Sequence, residues 1–222
     1  MKLIKKGLLD TWQSMPVFGM QHEGIPPGGA MDSFSLQIAN ALVGNDVYDK
    51  ALEMHFPAGV YQWETSSLLA ICGADFGACI DNIPVPMNQP IKVPPGALLS
   101  FKNPVYGQRV YVANRPLRDE QVSRVKLLPW SMNPENVFTD DPIRILCGRE
   151  WDQIKACSQQ MVLGKPFTIS AASNRMGYQL IQEPLKMLSA PTMLSSAVTA
   201  GTIQLLPSGQ VIVLMAGHQT TG

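Results

Sequence analysis

The stretch from Gln21 to Asp32 combines several residue types that are suited to chemistry. It contains the imidazole of His22, a type of side chain that can carry a proton in catalysis. A rigid Pro-Pro pair and then Gly28 and Gly29 follow, and glycine lets a ligand come close to backbone N–H groups. The stretch leads into a predicted helix N-terminus, which favours an anionic group. We therefore expect a binding loop here, with a tight turn and an ordinary helix cap as the alternative.

A second cluster lies at Asn174 to Tyr178, where an amide and a guanidinium are adjacent. Asn174 and Arg175 can donate hydrogen bonds to a planar carboxylate or ureido group. A surface turn held by salt bridges is the alternative. A third cluster, Gln204 and the segment from Ala216 to Gly222, follows apolar strands. This set indicates either the rim of a barrel site or a solvated turn.

Glu53 is a carboxylate inside the apolar segment from Ala51 to Phe56. A buried glutamate needs a partner, because an unpaired buried charge is costly. Either Arg175 or a backbone amide could be that partner. The alternative is that Glu53 faces solvent from the wet side of a strand.

Composition and missing motifs exclude several functional classes. The 17 basic and 17 acidic residues give zero net charge, which excludes the basic surface of a nucleic-acid-binding protein. Phosphate-loop, dinucleotide and nucleophile-elbow motifs are absent, and the three histidines lie in separate segments, so we expect neither a cofactor nor a metal on this chain. The apolar runs are far shorter than the roughly 20 residues that span a bilayer. We therefore expect a cytoplasmic protein without a signal peptide.

Two further composition features concern the surface and the thiols. Charged residues make up 15% of the chain, against roughly 25% in ordinary soluble domains. This deficit predicts that another subunit, either a second copy or a different protein, covers part of the surface, with a monomer of low charge as the alternative. The four cysteines form no Cys-x-x-Cys pair and are expected to be small buried hydrophobes.

Local signals predict one clear helix and many short strands. Asp32 and Ser33 supply a helix N-cap, apolar residues follow at helical spacing, and Gly44 stands at the C-terminal position. A second helix is predicted from Arg149 to Leu163, and a short third one near Pro184 to Leu188. About ten strands are predicted from their alternation and bounding turns. They lie at residues 60–65, 68–72, 78–85, 91–93, 97–101, 109–113, 143–147, 166–170, 201–206 and 210–216.

These short strands predict antiparallel barrels or a sandwich. The 18 glycines and 18 prolines support this class, because both residues disfavour helix interiors. Asp81-Asn82 is predicted to form a hairpin turn. The segment from Pro129 to Asp141, rich in Pro, Asn and Asp, is the predicted linker between two subdomains, at residues 1–138 and 139–222.

Seven segments, taken in order, carry a resemblance to a known family. They are residues 21–32, 39–45, 51–53, 73–76, 174–178, 201–204 and 219–222. This ordered set resembles the allophanate hydrolase subunit 2 family, which includes biotin-dependent carboxyltransferase-like proteins, KipA and the C subunits of 5-oxoprolinases. No single segment is decisive, but the set spans nearly the whole chain.

The resemblance implies a mainly β fold of two cyclophilin-like antiparallel β-barrel subdomains with two or three short helices. It also implies a KipI-like B subunit of 5-oxoprolinase as partner, often with the corresponding A subunit. The assembled complex would resemble an ATP-dependent 5-oxoprolinase, which hydrolyses 5-oxo-L-proline to L-glutamate. ATP is then used by the complex, and this chain binds no cofactor of its own.

Two other functions stay open under the same resemblance. One is a KipA-like regulatory protein that binds a KipI-type inhibitor of a kinase. The other is the carboxyltransferase component of a urea carboxylase-like system, and only this function involves biotin. The ligand in each enzymatic case is a small amide or carboxylate.

The clusters and the resemblance together give a set of candidate site residues. The catalytic candidates are His22 and Arg175. The substrate-binding candidates are Gln21, Pro26, Gly28, Gly29, Met31, Asp32, Asn40, Glu53, Asn174, Met176, Gly177, Tyr178, Gln204, Gln219 and Thr220.

The sequence departs from the family pattern in four places. The family reads Gln-Asp-x-Gly-Arg where this chain has the segment from Gln13 to Val17, so an acid and an arginine are missing from a motif expected to line the pocket. A Gly- and Ser-rich stretch is absent after Ala113, and the strand is expected to end there. Gly217 stands where Asp is common. Family members also continue beyond Gly222 with further strands.

Overall fold

The computed structural model describes residues 1–127, 131–133, 143–189 and 195–221. The chain divides into two compact units. The first consists of Met1–Met15 and Ala30–Thr139, and the second of Pro16–Gly29 and Asp140–Gly222. Most of the predicted linker from Pro129 to Asp141 lies outside the described residues, so the subdomain boundary stays a prediction.

The first unit contains two five-stranded antiparallel sheets. One sheet has the order β1-β4-β9-β6-β7, and the other has the order β2-β3-β10-β5-β8. Their strands are β1 (Lys2–Lys5), β2 (Leu9–Gln13), β3 (Ala51–His55), β4 (Val60–Gln62), β5 (Ser67–Asp75), β6 (Ala78–Ile80), β7 (Ile83–Pro84), β8 (Ile91–Val93), β9 (Leu98–Phe101) and β10 (Tyr106–Pro116).

The core of the first unit lies on both faces of the central strands β5 and β10. Leu69 and Ile71 pack into a cluster with Trp63 and Phe76, whereas the alternating residues Ala70 and Cys72 pack into a second cluster. A strand buried on both faces reads as a continuous apolar run, which is why the stretch at residues 68–72 shows no polar alternation. The helix α1 (Ser33–Val43) supplies Leu36 and Ala39 to the second cluster, among others.

The helix α1 begins and ends where the sequence predicts. Asp32 is the N-cap, and its side chain accepts a hydrogen bond of 3.0 Å from the Ser35 N–H. Gly44 is the C-cap in the left-handed conformation, with φ 74°. The predicted hairpin turn between β6 and β7 is also confirmed, because Asp81 and Asn82 both have positive φ angles, of 50° and 66°.

The second unit contains a four-stranded antiparallel sheet with the order β11-β12-β14-β13. A 3-10 turn at Trp151–Gln153 precedes its helix, α3 (Ala156–Gly164). The first unit has one further short helix, α2 (Asp119–Val122). The strands of the second unit are β11 (Thr168–Ile169), β12 (Gly177–Ile181), β13 (Ile203–Leu205) and β14 (Val211–Leu214).

Three element predictions are wrong in the second unit. The helix predicted from Arg149 starts only at Ala156, because the backbone N–H of Lys155 bonds to the carbonyl of Lys186 and Ile154 bridges Met187. The same pairing makes the segment at residues 184–188 extended rather than helical. Residues 143–147 form no strand.

Two further differences concern the strands. β10 does not end at Ala113 but continues to Pro116, with Asn114 paired to Leu69 and Arg115 paired to Leu68. The strands β1, β2, β3 and β12 were not predicted. The predicted class, mainly β and antiparallel with few helices, is confirmed, although the sheets are open-ended in the described part of the chain. No helix among those residues is long and apolar enough to cross a membrane.

Candidate functional site

The centre of the first unit holds the buried carboxylate of Glu53. Glu53 on β3 lies directly opposite Tyr111 on β10, and only 2% of its surface is exposed. Its Oε2 atom accepts hydrogen bonds from the Met31 N–H at 2.9 Å and from the Tyr111 hydroxyl at 2.7 Å. Glu53 is therefore buried and paired with a backbone amide, as one of the predicted alternatives requires, and the wet-side alternative is wrong.

Two residues that the sequence analysis missed complete this cluster. The Tyr111 hydroxyl accepts a hydrogen bond of 2.7 Å from the Asp32 N–H while it donates to Glu53. Burial raises the pKa of Tyr111 well above its usual value, and the charge of Glu53 raises it further. The Nε atom of Arg109 lies 3.8 Å from Glu53 Oε1, and only 10% of the Arg109 side chain is exposed. Arg109 and Tyr111 are two residues apart on one strand, so strand alternation already places them on one face.

The N-terminus of α1 is already supplied with a negative charge by the protein itself. The Asp32 carboxylate accepts from both the N–H and the hydroxyl of Ser35. The N–H groups of Met31 and Asp32 are bonded to Glu53 and Tyr111. These three N–H groups hold the loop in place rather than being available to an external anion.

The second unit brings parts of the three predicted clusters into contact. The Arg175 guanidinium donates to the carbonyl of Gly29, and the Arg175 carbonyl accepts a 2.8 Å hydrogen bond from the Gly217 N–H. Gly29 has φ +85°, and a Cβ there would lie 2.6 Å from the nitrogen of Pro16. Only glycine fits such a position. The Gly28-Gly29 turn, Arg175 and the Gly217 segment therefore lie together in one unit.

The turn before β12 is held by its own side chains. The Oδ1 atom of Asn174 accepts from the Met176 N–H at 2.8 Å, and the Asn174 N–H donates to the Gly177 carbonyl at 3.1 Å. A Cβ on Gly177 would lie 2.7 Å from a side-chain carbon of Ile212, so this close packing requires glycine. Met176 is exposed, whereas Tyr178 is half-buried in the sheet opposite Val213.

The predicted proton carrier, His22, is exposed to solvent. Its side chain is 71% exposed, in a 3-10 turn at Gln21–Glu23, and its Nε2 lies 3.5 Å from the Glu23 carboxylate. Gln21 accepts a 2.9 Å hydrogen bond from the Gly19 N–H, and Pro26 is exposed. Each of these residues can be reached by a ligand, and their roles stay predictions.

The remaining candidate residues differ in how far they are buried. Asn40 is fully buried, donates to the Asp49 carbonyl at 2.7 Å and accepts from Asn45, so its amide is used in shaping the loop after α1. Gln204 is half-buried on β13, and Gln219 is exposed. The Thr220 carbonyl accepts from the Val198 N–H. No sequence signal distinguished buried Asn40 from Gln204, Gln219 and Thr220, which are half-buried or exposed.

A shallow cleft of about 570 Å³ also lies in the first unit. The predicted site residues do not line it; its lining consists of Ser14, Asn45, Tyr48, Asp49, Lys50 and Asn114. The described part of the chain contains no group of three His, Cys, Asp or Glu side chains that could hold a metal ion.

Comparison with known proteins identifies the family. The family model described as carboxyltransferase domain, subdomain A and B, matches residues 23–118 and 115–222. The chain belongs to this family. The predicted family assignment is thus confirmed, and it covers nearly all of the sequence.

Two relatives of this chain are both named as the C subunit of a 5-oxoprolinase. It is 31% identical to the 5-oxoprolinase C subunit of Escherichia coli, over 100% of the chain and 81% of that protein. It is 27% identical to the 5-oxoprolinase C subunit of Haemophilus influenzae, over 96% of the chain and 78% of that protein.

Solved structures share the fold of this family member. TTHA0988 matches 99% of the chain with a TM-score of 0.76 and 24% identity, and the Kluyveromyces lactis urea amidolyase matches 99% with a TM-score of 0.81 and 18% identity. The chain spans about half of TTHA0988 (49%) and 17% of the urea amidolyase chain.

Proposed function

We propose that this protein is the C subunit of an ATP-dependent 5-oxoprolinase, which hydrolyses 5-oxo-L-proline to L-glutamate together with companion subunits in the cytoplasm. The observation that carries the proposal is the 31% identity to the Escherichia coli C subunit along the whole chain. The family assignment supports it. The companions are a KipI-like B subunit and the corresponding A subunit.

The chemistry of the reaction suits donors of the kind found in the second unit. A lactam is a stable amide, and phosphorylation of its oxygen by ATP makes the ring carbon open to attack by water. Asn174, Arg175 and the N–H groups around Gly28 and Gly29 would bind the substrate carboxylate or the charge that develops on the lactam oxygen. His22 would carry a proton to or from solvent.

The contact between Arg175 and the Gly29 carbonyl supports this assignment of roles. It joins a cationic side chain to the backbone of the glycine turn, so both groups can face one ligand. The missing acid and arginine between Gln13 and Val17 reduce the number of charged side chains available to the site.

A carboxyltransferase acting on a urea-like substrate is the second candidate function. The likeness to the urea amidolyase of Kluyveromyces lactis, at a TM-score of 0.81, favours it. Such a reaction also requires a biotin carboxylase and a biotinyl domain, and residues 1–222 contain no Ala-Met-Lys-Met biotinylation signal. The transferred group would then be a carboxyl group rather than a phosphoryl group.

Substrate dependence separates the two candidates. The chain is assembled with its companion subunits and given ATP with either 5-oxo-L-proline or urea plus bicarbonate and a biotinylated carrier. We expect L-glutamate release from 5-oxo-L-proline without any biotin. ATP consumption that depends on urea and biotin, with no glutamate from 5-oxo-L-proline, contradicts the proposal and supports the carboxyltransferase.

A further inference from the structure

We infer that Tyr111 and Glu53 are positioning residues that set the backbone of the loop leading into α1. This inference rests on the proposed function, because the loop at residues 28–32 is its candidate binding loop. Neither Tyr111 nor Arg109 was a sequence-based candidate. The positioning role follows from the hydrogen bonds and the ion pair that these residues make, rather than from their residue types.

The geometry shows two side chains bonded to two successive backbone amides. The Met31 N–H donates to Glu53 Oε2 at 2.9 Å, and the Asp32 N–H donates to the Tyr111 oxygen at 2.7 Å. The Tyr111 hydroxyl itself donates to Glu53 Oε2 at 2.7 Å. Glu53 and Tyr111 are opposite each other on β3 and β10, so the sheet fixes their separation. The loop is therefore held by a rigid pair rather than by a flexible side chain.

Because Glu53 and Tyr111 are buried, their polar groups need hydrogen-bond partners within the protein. Glu53 is 2% exposed and Tyr111 is fully buried, so water cannot replace a missing partner. Arg109 Nε, 3.8 Å from Glu53 Oε1, balances the charge. Loss of the Tyr111 hydroxyl leaves the Asp32 amide without its acceptor and removes one donor from Glu53. The loop is then free to shift, and a displacement of about 1 Å in a binding group can reduce a rate about 100-fold.

Tyr61 provides a matched control in the same unit. It is also buried, with 7% of its surface exposed, and its hydroxyl donates to the carboxylate of Asp10 at 3.0 Å. Tyr61→Phe therefore removes a buried tyrosine–carboxylate hydrogen bond, as Tyr111→Phe does. The difference is that the Tyr61 hydroxyl is not bonded to the loop at residues 28–32.

Two readouts test the inference on the full chain. Amide hydrogen exchange at Met31 and Asp32 is measured by NMR in the isolated protein, and kcat and KM for 5-oxo-L-proline are measured in the assembled complex. We expect Tyr111→Phe to speed exchange at Asp32 at least tenfold and to lower kcat/KM by roughly 10- to 100-fold. Tyr61→Phe is expected to leave both unchanged even where it lowers thermal stability.

The other outcomes contradict either the positioning role or the proposed function. Unchanged exchange in Tyr111→Phe, or faster exchange with kinetics like those of Tyr61→Phe, overturns the positioning role. If Tyr111→Phe does not fold, Glu53→Gln, which keeps an acceptor for Met31, is judged by the same two readouts. An inactive wild-type complex contradicts the proposed function instead, and the exchange data alone then decide whether the pair holds the loop.

Discussion

Several buried polar side chains of the first unit have hydrogen-bond partners within the protein. The Trp63 indole N–H donates to Asn114 Oδ1 at 2.6 Å, and Asn40 donates to the Asp49 carbonyl at 2.7 Å. Such pairs matter because a buried polar group without a partner costs roughly 1–3 kcal/mol. Cys72 and Cys79 are buried as predicted, whereas Cys147 and Cys157 are exposed, so the prediction is wrong for those two cysteines. Burial and then the charge of Asp32 raise the pKa of Cys72 to about 12, so it stays a protonated, unreactive thiol at neutral pH.

The buried tyrosines predict a loss of stability in alkali. The pKa of Tyr111 is raised in the folded state, chiefly by burial. Above about pH 10, tyrosine in the unfolded chain ionises while folded Tyr111 stays protonated, so the unfolded state binds fewer protons and the free energy of unfolding falls as pH rises. Below that pH the contribution of Tyr111 is fully present.

Urea unfolding between pH 8 and pH 11 measures this effect. Tyr111→Phe should flatten the pH dependence above pH 10 by up to about 1.4 kcal/mol per pH unit. The absolute stability of the variant at pH 8 is a separate quantity and serves as its baseline. Equal slopes for the wild type and the variant would show that Tyr111 ionises normally in the folded protein.

At the level of elements, α1 is the part of the fold that local sequence specifies best. Its N-cap, helical spacing and C-terminal glycine all lie within thirteen consecutive residues, from Asp32 to Gly44. The helix predicted at residues 149–163 is confirmed only from Ala156 onward, because the Lys155 N–H donates a hydrogen bond to the Lys186 carbonyl and keeps the preceding segment out of the helix. β12 was missed because it pairs with β14, a strand distant along the chain, and no local pattern specifies that pairing.

The cap of α1 can be tested directly. Asp32→Ala should lower the free energy of unfolding by about 1 kcal/mol, within a range of roughly 0.5–2 kcal/mol, because Ser35 loses its acceptor. Asp32→Asn should lose less, since asparagine also caps helices well. Urea unfolding at pH 7 measures both, with exposed Glu183→Ala as the control. A loss for Asp32→Ala no larger than for Glu183→Ala would refute the capping role.

The site could be predicted only in part from the sequence. Its chemical groups were recognised, because glycine turns and an Asn-Arg pair are visible in a short stretch. The contact between Arg175 and Gly29 joins residues 146 positions apart, and no local pattern specifies it. Tyr111 and Arg109 were accessible through strand alternation, but their importance depends on Glu53 being buried, which the sequence left open.

Taken as a whole, the molecule has a fold that recurs inside larger polypeptides. It matches 99% of its own length to half of TTHA0988 and to 17% of a urea amidolyase chain. The relatives that match it along its length are named as subunits. The names of these relatives imply partner subunits, and the low content of charged residues, 15%, agrees with a partly covered surface.

A single substitution distinguishes a working enzyme component from a binding protein. In the complex with its companion subunits, ATP-dependent release of L-glutamate from 5-oxo-L-proline is compared for the wild type, Arg175→Ala and exposed Lys186→Ala. We predict that Arg175→Ala still co-purifies with the proposed KipI-like companion but loses roughly 100-fold or more of the release rate, while Lys186→Ala matches the wild type. Release by Arg175→Ala at the wild-type rate would contradict the proposed charge stabilisation by Arg175.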